Sequence, residues 1–286
     1  MMVSVKRIAG KSVFCVLIVL VVLTVFPVCA MAANLGGEQL QATVDESMRA
    51  MWTGADFRKT LDRKFEERGY ALAALIDTGF FYIYSKHKVT SFDDLKNRKV
   101  MTWIGTVGEN TWEALGIRPI PVAVPEVIAS LSTGYGDTAV GPAAWLLGMQ
   151  GYQYVEYIVN PPLLYAPAAI FVSTNTKNRL AKIFGISETV AYNCQELVIQ
   201  QFNTLEPQWK SDLRKYNQKS MEAFETKCGI KFVDFSKADQ SRFEAAAKHV
   251  RDGLAGKVYS REFLDEVTAA LEEYRQQKNA ITVGGI

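Results

Sequence analysis

Hydrophobic and polar positions change rhythm three times along the chain. "LQATVDESMRAMW" and "DFRKTLDRKFEERG" place apolar residues three and four apart, which predicts helix through much of 38–69, with Gly54 between the runs and Gly69 closing the second. "YALAALIDTGFFYIYSK" is then almost continuously apolar and aromatic, a strand pattern interrupted at Asp77 to Gly79. Short units follow. "SFDDLKN" is a capped turn of helix, "KVMTWIG" a strand and "GENTWEALG" a helix closed by Gly116; "RPIPVAV" is again a strand. "PEVIASLSTG" opens on Pro125 and ends on Gly134, the asymmetry that favours Pro at a helix start and Gly at its end. "YGDTAVG", "PAAWLLGMQGY", "VEYIVN" and "LLYAPAAIFVST" continue as strand, helix, strand and strand. From Asn178 the period turns helical. "KNRLAKIFGISETVAYNCQELVIQQFNTLEP" and "QWKSDLRKYNQKSMEAFETKCG" predict two long helices, and "IKFVDF" one more strand. Ser236 caps a further helix, "SREFLDEVTAALEEYRQQKN" is the last, and the tail "AITVGGI" reads as frayed.

Strands and helices of this size, joined by tight Gly and Pro turns, build an α/β lobe around a largely parallel sheet. The expected fold class is therefore α/β, with long helices gathered in the C-terminal third.

The first thirty residues stand apart. Lys6, Arg7 and Lys11 precede the uncharged run "SVFCVLIVLVVLTVF", and "AMA" follows at 30–32. A basic start, an apolar core and an A-x-A site predict a secretory signal peptide over 1–32, cut before Ala33, and hence export to the periplasm. Residues 1–32 carry three of the 32 cations and none of the 30 acids, which leaves 29 cations against 30 acids, a net −1. The excess of positive charge is thus a property of the leader, and net charge gives no case for a nucleic-acid partner. Cys15 and Cys29 leave with the leader, while Cys194 and Cys228 stay, a candidate disulfide in an exported chain with free thiols as the alternative.

Catalytic signatures are sparse. His87 and His249 have no Cys, Asp or Glu at metal-ligand spacing, and no Ser lies in G-x-S-x-G. "GTVGEN" lacks the Lys-Ser/Thr of a phosphate loop, so it is either an ordinary strand-to-helix turn or a set of backbone amides that could meet an anion. No metal or cofactor is expected. An α/β chain of this kind reads as a binder rather than an enzyme.

The order of segments from Gly79 onward resembles the solute-binding subunits of TRAP transporters, the DctP-type receptors. The cues are "SFDDLKNRKV", then "ALGIRPIPVAVPEVIASLSTGYGDTAVGP", then an aromatic helix, a pair of strands and long helices, over about residues 70–255. The resemblance implies a type II-like periplasmic binding fold: two lobes that close over a small solute and pass it to membrane subunits, with no enzymatic activity. It divides the chain into the leader at 1–32, a first lobe from 33–92 and 161–286 with the long helices, and a second α/β lobe at 93–160.

Two departures qualify what the resemblance implies. The arginine with which such receptors grip a carboxylate falls on Met101, and a thioether cannot make that bidentate contact. The stretch before Tyr70 is also short for the family, so the first lobe is expected to lack its opening strands. The alternatives are a receptor that captures solute alone, a split receptor completed by a companion protein, and an accessory subunit without solute binding. In α/β sheets ligands sit beyond the carboxyl ends of strands. Met101, Trp103 and Thr106 follow one such strand, Thr138, Gly141, Pro142 and Trp145 another, and Tyr82 and Tyr165 lie on the strands joining the lobes. Met101 and Trp103 are two apart and share a face, which favours apolar packing with one indole donor.

Overall fold

A computed structural model describes residues 55–283. The expected leader, Cys15, Cys29 and the predicted helix before Gly54 lie outside the described residues. The elements in order are α1 (Ala55–Glu66), β1 (Tyr70–Ser85), α2 (Phe92–Leu95), β2 (Met101–Trp103), α3 (Thr106–Ala114), β3 (Ile120–Val122), α4 (Val127–Thr133) and β4 (Thr138–Pro142). There follow α5 (Ala143–Gly148), β5 (Tyr157–Ser173), α6 (Thr176–Phe184), α7 (Glu188–Thr226), β6 (Lys231–Asp234), α8 (Lys237–Leu254) and α9 (Arg261–Val283).

The frame is a pair of long antiparallel strands. β1 and β5 pair from Tyr70–Ser173 to Ser85–Tyr157, with register shifts between Leu72 and Ala74, Asp77 and Gly79, and Phe81 and Ile83. The break read in the sequence at Asp77 to Gly79 is thus a bulge inside one continuous strand. "VEYIVN" and "LLYAPAAIFVST" likewise form a single strand. β4 adds antiparallel to the far half of β1, and β6 adds parallel to the start of β5, giving the order β4-β1-β5-β6. Parallel pairing is present in part of the expected lobe, where β2 pairs parallel with β3 and Val100 bridges parallel to Thr138, whereas the four-stranded sheet is antiparallel at two of its three junctions because β1 and β5 run back along each other.

Three apolar clusters fill this frame. The first joins α1 and α9 to the near halves of the two long strands, through Phe57, Leu61, Leu72, Leu75, Tyr165, Phe171, Val267 and Leu271. The other two occupy opposite faces of the far half. Tyr82 and Tyr84 point into one with Met101, Leu131, Leu146 and Phe224, and Ile83 points into the other with Phe92, Leu95, Trp112 and Phe243. That split is the two-residue period of a strand buried on both faces. β6, α8 and the end of α7 pack beside the segment that follows β1: Phe235 and Phe243 share the third cluster with Phe92, Leu95 and Trp112, and Phe224 shares the second with Met101 and Leu131. Their apolar stripes do not by themselves select this position, which follows from the return of the chain as β6 beside β5.

The cations ahead of β2 tether turns. Lys96 pairs with Asp93 at 2.7 Å, and Lys99 Nζ donates to the Gly134 carbonyl at 2.9 Å. Ser91 and Asp94 form a reciprocal capping box at the start of α2. Hydrogen bonds from the Thr90 backbone and hydroxyl hold the Asp94 carboxyl below its ordinary pKa.

The two long helices expected after Asn178 divide elsewhere. Gly185, at φ +64°, separates α6 from α7, and α7 then runs 39 residues straight through Pro207. Proline removes one amide donor, but packing on both sides of it sustains the helix. The candidate disulfide is not formed. Cys194 and Cys228 are both free, Cys194 on the surface. Cys194 lies in the second turn of α7 and Cys228 two residues past its last residue, so the helix from 194 to 226 alone holds them about 48 Å apart at the helical rise. A disulfide needs Cα atoms within roughly 7 Å.

Candidate functional site

The candidate site gathers at the middle of β1, where the first and second clusters meet. Phe80 packs against both and meets Tyr165 edge-on at 5.4 Å. One residue on, Phe81 meets Trp103 edge-on at 4.8 Å, and Trp103 meets Trp145 at 5.8 Å. Trp103 arrives at the end of β2 and Trp145 in the first turn of α5, so two strand ends deliver the two indoles.

Gly141 makes this contact feasible. A Cβ there would sit 2.6 Å from the Trp145 ring and 3.5 Å from the Trp103 ring. The absent side chain is therefore what lets the indole lie across β4. Trp103 Nε1 is buried and has no hydrogen-bond partner. The Tyr84 hydroxyl is in the same condition, deeper in the second cluster, and burial followed by the neighbouring Tyr82 raises its pKa well above the ordinary value.

The predicted site residues divide into two groups. Trp103, Trp145, Gly141 and Pro142 come together, with Tyr82 beside Gly141 and Phe81 beside Pro142 in the β1–β4 register. Tyr165 stands next to this group across Phe80. Met101 and Thr138 are instead locked in packing. Met101 is 1% exposed, its sulfur laid against Gly136 where any Cβ would collide. It does share the Trp103 face, since both join the second cluster. The Thr138 hydroxyl is fully buried between Ser85 Oγ (3.1 Å) and the Asp137 carboxylate (2.9 Å), and Asp137 also accepts from Lys99 N at 3.0 Å. Thr106 is exposed at the start of α3. The "GTVGEN" amides are partly taken, because Glu109 Oε1 accepts from Gly105 N at 3.0 Å. An external anion would have to compete with that carboxylate.

Three polar residues escaped the sequence reading. Asp77, 3% exposed in the bulge of β1, is paired with Arg214 of α7. Asn217, one turn further, donates to the Thr78 carbonyl (3.0 Å) and accepts from Ala144 N (3.0 Å). It therefore ties β1 to the start of α5, beside Trp145. Gly79 at φ +98° admits the Asn217 amide, which would lie 2.6 Å from a Cβ. The available signal was an aspartate inside an apolar run followed two residues later by glycine. Its partners lie about 140 residues downstream.

The bacterial extracellular solute-binding protein family 7 model, DctP, matches residues 43–257. The chain belongs to this family. Two curated relatives are each 25% identical. One is an uncharacterized protein of Haemophilus influenzae, aligned over 122 residues covering 43% of this chain and 37% of that one. The other is the ectoine-binding periplasmic protein TeaA of Halomonas elongata, aligned over 115 residues covering 40% and 32%. The chain thus spans about a third of the length of the curated relatives it matches.

Solved DctP-type receptors share the fold. The sugar acid binding protein DctPAm of Advenella mimigardefordensis, in complex with galactonate, aligns at a TM-score of 0.67 and 17% identity, over 80% of this chain and 70% of that chain. DctP7 of Bordetella pertussis, binding pyroglutamic acid, aligns at 0.66 and 16%, over 79% and 70%. The DctP fold expected from the segment order is therefore the one observed. Receptors of this family bind solutes and are not enzymes.

Proposed function

We propose that this chain is the exported receptor subunit of a TRAP-type importer. It captures a small organic solute against the Trp103–Trp145 pair and passes it to membrane subunits. Within the chain, the reading rests on Trp103 Nε1, a buried donor with no partner between aromatic rings. An unsatisfied buried donor costs about 1–3 kcal/mol, and an acceptor oxygen on a solute relieves that cost. Trp103, Trp145 and Tyr82 supply apolar walls, Gly141 and Pro142 shape the floor, and Tyr165 and Thr106 border the group. The two lobes are taken as the near and far halves of the long strands.

The mode of capture differs from a carboxylate clamp. Met101 is packed inside, and the guanidinium closest along the chain to Asn217 is Arg214, whose charge is balanced by Asp77. The solute is therefore held by aromatic contact and single hydrogen bonds, which suits a neutral or zwitterionic compound better than a dianion.

Tryptophan fluorescence of the mature chain, titrated with ectoine, pyroglutamate and galactonate (the solutes named for its relatives) and then a wider metabolite panel, tests the reading. Saturable quenching that disappears in Trp103→Phe is expected. A folded protein that responds to none of them sinks it. One observation favours a second reading, an accessory subunit without solute binding: the Trp145 ring itself covers Gly141. In that case the titration stays flat, while the protein still co-purifies with its membrane subunits.

A further inference from the structure

The rings at the candidate site meet at steep angles instead of stacking. Trp103 lies edge-on to Phe81 with the planes 65° apart, and its plane makes 71° with that of Trp145. Phe81 is buried, whereas both indoles are half-buried and keep part of their surface open. Two indoles at this angle, with centroids 5.8 Å apart, form a corner. A cation seated in the corner can lie within about 6 Å of both centroids, the range over which the negative face of an aromatic ring attracts positive charge, and tryptophan attracts it most strongly.

The ionised groups around the corner also favour a cation. At the Trp103 end of β2, Glu109 accepts from Gly105 N at 3.0 Å and holds a carboxylate there. Arg98 and Lys99 precede the strand at its opposite end, where Lys99 Nζ donates to the Gly134 carbonyl at 2.9 Å. Arg214, on the α7 side, is paired with Asp77 and adds no net charge. The chemistry of the walls then selects among cations. Indole side chains offer no acceptor, so a primary ammonium would bring three N–H donors that they cannot satisfy. A quaternary ammonium has no such donor and needs only aromatic surface in place of water. The polar group in the wall, Trp103 Nε1, is a buried donor without a partner, and it calls for an acceptor oxygen on the same solute.

Resting on the reading of this pair as the solute site, we propose that the Trp103–Trp145 corner binds the quaternary ammonium group of a zwitterionic solute. Both indoles contact the cation through their faces, and Trp103 Nε1 donates to an oxygen of the same molecule. Gly141 keeps the corner in shape, because a Cβ there would sit 2.6 Å from the Trp145 ring.

Titration calorimetry of the mature chain with glycine betaine and with 3,3-dimethylbutanoate tests the assignment. The two probes share their shape and their carboxylate, and differ in whether the quaternary centre is charged nitrogen or neutral carbon. Choline and 3,3-dimethylbutan-1-ol repeat the comparison with a hydroxyl as the acceptor. Each quaternary ammonium probe should bind at least about tenfold more tightly than its neutral isostere. Trp145→Leu should remove most of that ratio and Trp145→Phe only part of it, and a ratio of two affinities does not depend on how much of a variant is folded. Equal or tighter binding of the neutral isosteres overturns the proposal, as does a full preference in Trp145→Leu. Failure of both quaternary ammonium probes to bind overturns it too. If another compound of the metabolite panel then still quenches the tryptophan emission, the receptor reading stands and only the solute class is wrong; a flat response to every compound sinks both.

Discussion

The two halves of α7, joined at Pro207, are one helix in two different surroundings. Before the proline, only Ala191 and Gln195 are buried, and a stripe of apolar residues faces outward. After it, Arg214 reaches the buried Asp77, Asn217 ties the β1 bulge to α5, and Ser220 and Phe224 are sealed in the core. Glu206 stands at the join, where its carboxylate accepts from Leu75 N at 2.9 Å and pairs with Arg58 and Lys210. It supplies an acceptor for a β1 amide that its neighbouring strand leaves unpaired. A continuous helix thus tells little about where its stability comes from. The half with interlocked partners is the half that holds the fold.

Substitutions can break that contrast. The largest effect is expected from Phe224→Ala, which empties a fully buried ring site beside Tyr84; about 4 kcal/mol of unfolding free energy should be lost, seen as an earlier urea midpoint. Arg214→Met comes next. It leaves the Asp77 carboxylate buried beside the bulge, at a cost of about 3 kcal/mol, and the paired change Asp77→Asn should recover part of it in a double-mutant cycle. Asn217→Ala strands the Thr78 carbonyl and the Ala144 amide, for about 2 kcal/mol, and should also shift the emission of Trp145 next to Ala144. Leu197→Ala, in the other half, should move the midpoint by under about 1 kcal/mol. A Leu197 effect as large as that of Phe224 would erase the contrast.

The smallest expected effect lies outside the helix and serves as its control. The folded-state pKa of Asp94 is depressed by hydrogen bonds from Thr90 and Ser91. Its contribution is therefore present above the unfolded carboxylate pKa and is lost as pH falls through the lower folded value. Asp94→Asn should flatten the acid limb of the stability profile slightly, lower stability at neutral pH by the same small amount and leave the slope there unchanged. A change of slope near neutrality would mean that another group is responsible.

Much of the fold was legible because its signals are local. The Pro125 turn that leads into α4, the Gly134 that ends it, the Ser91 capping box and the interruption of β1 at Asp77 to Gly79 are each specified within a few residues, by steric limits and by backbone groups that need partners. The alternation of strand and helix, together with the order of its segments, was enough to point to the DctP family. The aromatic group was legible only in part. Trp103 and Trp145 were identifiable as residues at strand ends, but their contact needs the bare backbone of Gly141 between them. Met101 shows the converse: its position in the motif suggested a pocket wall, while packing against Gly136 makes it core.

What the sequence alone determined is the set of elements, their boundaries and the likeness of their order to a receptor family, since periodicity, capping and turn chemistry act over one or two turns. Tertiary structure decided which apolar cluster β6 and α8 join, which cysteines can meet, and that Asp77 finds Arg214. Those outcomes depend on residues more than a hundred positions apart becoming neighbours. An amphipathic stripe states that a face must be covered, and only the folded chain determines what covers it.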